Sequence, residues 1–220
     1  MIKLYSRKLL LGAGMVFFLS QLIWTEVSWG EIRMAVAPFQ LEYSQEKEII
    51  RCVFCGNLMP GGLIEGNPSD PLTHLLWNLL QKKNKGFDFI DPGQVSGIYN
   101  IILAKKVQGN TLQLMETIGR QLKVDYMLWG AVFRFQERKG TAYAVEKPAS
   151  VSFDLHLLRI KDGKLVWRVQ YAKTQQSLTE NLLEMENLLK QNMRWVSAQE
   201  LSSFGLEELL KEFPSAETLK

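Results

Sequence analysis

The amino-acid sequence predicts an α/β fold of the α+β, mixed-sheet kind: a central mixed β-sheet flanked by helices, with a C-terminal β-hairpin followed by two helices. Three observations lead there. The run Val124 to Phe135 (VDYMLWGAVFRF) is apolar on both alternating faces, as in a strand covered from both sides. Leu72, Leu75, Leu76, Leu79 and Leu80 recur at helical spacing upstream of it. Val151 to Ile160 and Leu165 to Tyr171 flank Asp162-Gly163, which marks an antiparallel hairpin.

Taken in order, EIRMAVAPF (Glu31 to Phe39) reads as a buried first strand stopped by Pro38. Gly56 to Asp70 is rich in Gly, Pro and Asn and reads as loop. Asp70 is placed to cap the leucine-rich helix, with Pro71 at its first position and Gly86 beyond its end. Phe87 to Ile90 reads as a short strand and Asp91-Pro92-Gly93 as a turn. Gln94 to Lys106 reads as a helix with Ile98, Ile101 and Ile102 inward. Another helix starts at Asn110 or Thr111, burying Leu114 or Met115, Ile118 and Leu122.

In the long strand, Tyr126, Leu128 and Val132 share one face; Met127, Trp129, Ala131 and Phe133 share the other. Glu137 to Ser150 reads as a polar loop or hairpin extension. For the final hairpin, a three-residue loop, Lys161 to Gly163, pairs Leu157 with Trp167, Leu155 with Val169 and Phe153 with Tyr171. That register keeps one apolar face intact and requires Gly163 to be left-handed in a bulged turn. Ser177 with Glu180, and Ser197 with Glu200, form capping boxes for two closing helices, the second breaking at Gly205. The domain plan is a signal peptide at 1–30, an α/β domain at 31–176 with a Cys-containing loop at 40–70, a helical appendix at 177–214, and a flexible tail at 215–220.

The leader is read from Lys3, Arg7 and Lys8, the apolar run Leu9 to Trp24, and Ser28 and Gly30 before Glu31. The run is also near the lower length limit for a retained anchor helix. No cysteine precedes Cys52, so no lipid anchor is expected at the cleavage point. The net charge is +3, of which the leader holds +2. No basic stripe alternates with aromatics, so nucleic acid is not expected as a partner.

VAPF at 36–39, IGRQLKVDYMLWGAV at 118–132 and DGKLVW at 162–167 resemble the α/β domain of CsgG-type proteins and of the related lipoprotein activators of penicillin-binding proteins. The resemblance covers residues 31–175 and rests mainly on structural motifs. It implies a periplasmic domain that works by protein contact or assembly. The lipidation cysteine of those lipoproteins is absent here, and so is a spare pair of long alternating strands, so pore formation is not carried over.

Cys52-Val53-Phe54-Cys55-Gly56 is the sharpest motif. A local disulfide is favoured by the oxidising compartment that the leader implies. A redox-active pair would want the first cysteine at a helix N-terminus. Half a zinc knuckle is the third reading; zinc wants four ligands, and with only His74 and His156 as other soft ligands the metal is expected to need a second chain. His74 should be exposed, and His156 should lie on a solvated sheet face opposite Arg168. Asp88 and Asp91 bracket a strand end, where turn formation accounts for Asp91. Gly61-Gly62 lacks the lysine and helix of a phosphate loop. Trp77, Trp129, Trp167 and Trp195 read as core. Tyr143 and Glu146 are candidate partner contacts on a polar hairpin.

The expectation is an exported, periplasmic, non-enzymatic binding or assembly protein with an envelope protein as partner, free to oligomerise. It needs no cofactor unless Cys52 and Cys55 hold zinc. The alternative is a thiol–disulfide or zinc-knuckle protein built on that pair.

Overall fold

The computed structural model describes residues 31–43, 48–83, 86–104, 110–176 and 194–219. In chain order the elements are β1 (Ile32–Val36), β2 (Gln40–Leu41), β3 (Ile49–Arg51), β4 (Leu58–Pro60), α1 (Ser69–Lys83), β5 (Phe87–Ile90), α2 (Pro92–Ala104), α3 (Thr111–Leu122), β6 (Tyr126–Gln136), β7 (Lys139–Gly140), β8 (Val145–Lys147), β9 (Ser150–Arg159), β10 (Lys164–Thr174), α4 (Ala198–Leu209) and α5 (Ala216–Leu219), with a 3₁₀ turn at Leu210–Glu212.

The main sheet runs β10-β9-β6-β1-β5, and β2 continues along β6 beyond Pro38. β1 is parallel to both β5 and β6, whereas β9 is antiparallel to β6 and β10. Parallel neighbours need crossover connections; α1 supplies the first and α2 with α3 the second. One face of the sheet packs Met34, Val36, Leu128 and Leu155 against the leucines of α1 and against Leu201 and Leu206 of α4. The other packs Ala35, Met127, Trp129 and Leu158 against Val95 and Ile102 of α2 and Met115 and Ile118 of α3. The mixed, helix-flanked sheet and the division of β6 into two buried faces are as the sequence predicts.

α3 follows its capping box: Asn110 Oδ1 accepts the Gln113 N–H at 2.9 Å, Gln113 Oε1 accepts the Asn110 N–H at 3.2 Å, and Lys123 ends the helix left-handed. The hairpin has the expected register from Phe153↔Tyr171 to Leu157↔Trp167, and Gly163 is left-handed with φ 67°. The turn itself is wider. Arg159 pairs with Lys164 and Leu158 with Leu165, so the extra residue is Val166, beyond the turn. The reason is local: Arg159 grips Asp162 through two hydrogen bonds of 2.9 and 2.7 Å and closes a four-residue loop.

Several boundaries are corrected. α1 starts at Ser69 rather than behind an Asp70 cap; Ser69 Oγ donates to the Phe39 carbonyl (2.5 Å), and Thr73 Oγ1 accepts the Phe39 N–H (3.0 Å). β4 falls within the segment read as loop. Ile101 is exposed, because α2 turns Val95 and Ile102 inward. The capping box at Ser197 and Glu200 is present, but α4 runs through Gly205 without a break. Nor is this helix an appendix: Val196, Leu201, Leu206, Leu210 and Phe213 belong to the same core as β1 and β6. The tail is docked too, since Ala216 is buried and Tyr126 Oη donates to the Leu219 carbonyl at 2.7 Å. The helix expected after Ser177 lies outside the described residues.

Gly205 is where helix propensity and packing conflict. Alanine gains about 1 kcal/mol over glycine inside a helix. A Cβ at Gly205, however, would sit 2.5 Å from Cδ1 of the buried Tyr171 ring. Overpacking of this kind costs about 1–3 kcal/mol, so the clash should win. Gly205→Ala is expected to lower the urea midpoint; a raised midpoint would show that α4 can lift off β10 at little cost.

Candidate functional site

The Cys-bearing insert is a small hairpin. β3 and β4 pair through Ile49↔Pro60, Ile50↔Met59 and Arg51↔Leu58. Its tip is a tight turn: Cys52 N–H donates to the Asn57 carbonyl (2.8 Å), and Gly56 N–H to the Cys52 carbonyl (3.0 Å). Gly56 is left-handed at φ 73°, a conformation that glycine adopts without strain. The turn aims the backbone N–H groups of Cys55 and Phe54 at Cys52 Sγ. Phe54 anchors the tip to the sheet, its ring centroid 3.5 Å from that of Trp129 and 5.7 Å from that of His156.

The surface it covers belongs to β9. Asp154 and His156 are two residues apart on a strand, so both project to one face, opposite Ala131 and Trp129 of β6. His156 was expected on a solvated face; it is 0% exposed and Asp154 is 2% exposed. β9 is an inner strand, and the insert roofs the part of its face that α2 and α3 leave uncovered. His156 Nε2 is 3.7 Å from Cys52 Sγ, His156 Nδ1 is 3.5 Å from Asp154 Oδ1, and Asp154 Oδ1 accepts the Ala131 N–H at 3.2 Å. One ligand atom from each of Cys52, Cys55, Asp154 and His156 lies within 4.8 Å of every other. Cys52 is buried, Cys55 is half-buried, and both are free thiols rather than the disulfide that the sequence favours. The second pair of ligands comes from this same chain, so the geometry does not require a second one. Cys55, Asn57, Asp154, His156 and Arg168 line an adjoining cavity of about 150 Å³.

Burial drives Cys52, Asp154 and His156 toward their uncharged forms. It raises the Asp154 carboxyl to about 7 despite its hydrogen bonds, and lowers His156 to about 4, with the nearby Arg168 charge acting in the same direction. It also pushes the Cys52 thiol well above its ordinary value, helped by the charge of Asp154. The order Cys–His–Asp has the connectivity of a nucleophilic triad. Cys52 and His156 are within reach of a weak sulfur hydrogen bond, but His156 Nδ1 makes none to Asp154, and a catalytic cysteine needs a lowered thiol pKa, the opposite of what burial does here.

The remaining sequence candidates are apart from this cluster. His74 is exposed on α1. Asp88 pairs with Arg33 at 3.1 Å, and Asp91 Oδ1 accepts the Gly93 N–H at 2.7 Å as a turn residue does. Trp129 is core, Trp167 packs edge-on to Phe213, and Trp77 edge-on to Phe89. Tyr143 and Glu146 are exposed on the β7–β8 hairpin. Sequence reasoning missed Asp154; the signal available was Asp-x-His, which puts both side chains on one face of a strand.

No protein-family model matches the chain, and no curated protein matches it. Solved structures do. The PelC dodecamer of Paraburkholderia phytofirmans is 12% identical over 82% of this chain and 86% of that one, with a TM-score of 0.44. Lipoprotein GNA1162 of Neisseria meningitidis is 14% identical over 73% and 93%, at 0.42. The LpoB C-terminal domain of Salmonella enterica is 16% identical over 66% and 84%, at 0.39. Likeness at this level assigns neither family nor function, and the CsgG-type resemblance gains no family-model match.

The two buried titrating groups make opposite demands on stability. Asp154, raised from 3.8 to about 7, favours the folded state below pH 3.8 and loses that contribution as pH rises through 7. His156, lowered from 6.5 to about 4, favours it above pH 6.5 and loses that contribution as pH falls through 4. In chelator-treated protein the two slopes offset each other between these limits. Asp154→Asn leaves only the histidine slope, so its urea-measured stability should fall more steeply on acidification than that of the parent chain. Parallel profiles would show that Asp154 is not buried as described.

Proposed function

We propose that this chain is an exported, non-enzymatic binding or assembly protein of the bacterial cell envelope, acting through contacts with an envelope protein. The observation that carries this reading is the position of the exposed apolar side chains. Among the described residues, Tyr43, Ile49, Val53, Leu58 and Leu63 are exposed and all fall between 43 and 63; the other large ones are Ile101 and Tyr143. In the insert hairpin, Ile50 and Met59 turn toward the sheet, while Ile49 and Leu58 turn outward beside Arg51 and Pro60. Clustered apolar side chains left in water are the usual mark of a protein contact. Tyr143, 84% exposed, and Glu146 add a second contact on the β7–β8 hairpin.

The leader motif supports the compartment. The thiol–disulfide alternative is weakened by the burial of Cys52 and by the placing of the pair at a hairpin tip instead of a helix N-terminus.

A photo-crosslinking residue at Leu58 should give one discrete adduct in the envelope fraction, while the same residue at the exposed Asn78 of α1 gives none. The partner identified from that adduct, once purified, should bind the chain roughly tenfold or more weakly after Ile49→Glu with Leu58→Glu, a loss of about 1.4 kcal/mol, at unchanged thermal stability. Equal adducts from both positions, or native protein found in the cytosol with its first residues intact, would overturn the reading.

A further inference from the structure

We propose that Cys52, Cys55, Asp154 and His156 of a single chain form a closed tetrahedral zinc(II) site, which fastens the Cys-bearing hairpin onto β9. The donor set fits the ion. Two thiolates, an imidazole and a carboxylate are all established zinc ligands, and thiolates select zinc over magnesium or calcium. Zinc bond lengths of about 2.0–2.3 Å place tetrahedral donors roughly 3.2–3.8 Å apart. Cys52 Sγ and His156 Nε2 are already 3.7 Å apart, and the whole set spans no more than 4.8 Å. Small side-chain rotations around the adjoining cavity close the rest.

Three further features point to a cation. Asp154 Oδ2 is buried without a hydrogen-bond partner, while Oδ1 is held by the Ala131 N–H, so one oxygen is fixed and the other is free to ligate. His156 Nδ1 lacks a partner as well and faces that held carboxylate at 3.5 Å, an arrangement that directs Nε2 toward the cysteines. The N–H groups of Cys55 and Phe54 point at Cys52 Sγ, where they stabilise a thiolate and do little for a thiol. Charge is also provided for: three anionic ligands around a divalent ion leave one negative charge, and Arg168 stands at the cavity wall to meet it. Four protein ligands leave no open position, so the site is structural rather than catalytic.

The test is a cobalt(II) titration of the reduced full chain, followed by displacement with zinc. One cobalt per chain is expected, with intense tetrahedral d–d bands and thiolate-to-cobalt charge transfer. X-ray absorption on the zinc form should count two sulfur and two nitrogen or oxygen neighbours. Asp154→Asn and His156→Ala should each weaken binding about tenfold or more. Several results would overturn the site: no thiolate band at excess cobalt, one metal per two chains, or four sulfur neighbours. So would unchanged affinity in both folded β9 variants, or exported protein carrying a Cys52–Cys55 disulfide and no zinc. The absorption count and the stoichiometry need only the parent chain, so a variant that fails to fold leaves the test intact.

Discussion

The two-sided burial of β6 is the constraint from which the architecture follows. Tyr126, Leu128 and Val132 must be covered on one side, and Met127, Trp129, Ala131 and Phe133 on the other. One layer of helices cannot do both. The chain answers with α1 and α4 on the first face and α2 and α3 on the second. The helices of the second face leave Trp129 and its β9 neighbours to be covered by something else. The Cys-bearing hairpin fills that gap with Phe54 on Trp129 and with Cys52 and Met59 in the same cluster. The insert is therefore part of the core, and its position at the candidate site is a consequence of sheet coverage.

Most of this fold was legible because its signals are periodic. The faces of β6, the leucine stripe of α1, the capping box at Ser197 and Glu200 and the strand register of the final hairpin come from spacing alone. The misreadings of His156 and of the C-terminal residues have a common physical origin in contacts distant in sequence. Ser152, Asp154 and His156 look like the wet face of a strand until β9 is known to lie between β6 and β10, where polar residues on that face become buried. The C-terminal residues look like an appendix until Phe213 is seen against Phe87 and Trp167. The cysteine motif was legible as a possible ligand pair. Its partners were not, because Cys52 and His156 are 104 residues apart and only the tertiary fold brings them together.

The site also shows why spatial connectivity alone is a poor guide to chemistry. Cysteine, histidine and aspartate in series invite a nucleophilic reading. Nucleophilic catalysis requires a thiolate beside an imidazolium at neutral pH, with an ionised carboxylate behind them. Burial here favours thiol, imidazole and carboxylic acid. A bound divalent ion reverses that preference, because coordination removes the thiol proton outright and favours the ionised carboxylate. Groups that are costly to bury as an isolated cluster become compatible with burial once a cation stands among them.

The same hairpin carries two demands on opposite faces. Its inner face brings Cys52, Phe54 and Met59 to the sheet; its outer face shows Ile49, Val53 and Leu58 to solvent. A two-stranded hairpin is marginally stable by itself in water, and this one has three residues in each strand. Something must fix it if its outer face is to present a constant shape. Phe54 on Trp129 is one anchor, placed at the tip beside the cysteines. Ile64 bridging to Phe135 and Glu65 accepting the Glu137 N–H are others, placed where the hairpin rejoins β6. Anchoring at both ends lowers the entropy lost when a partner docks on the face between them. The anchoring contacts of Phe54, Ile64 and Glu65 hold still what the outer apolar surface displays.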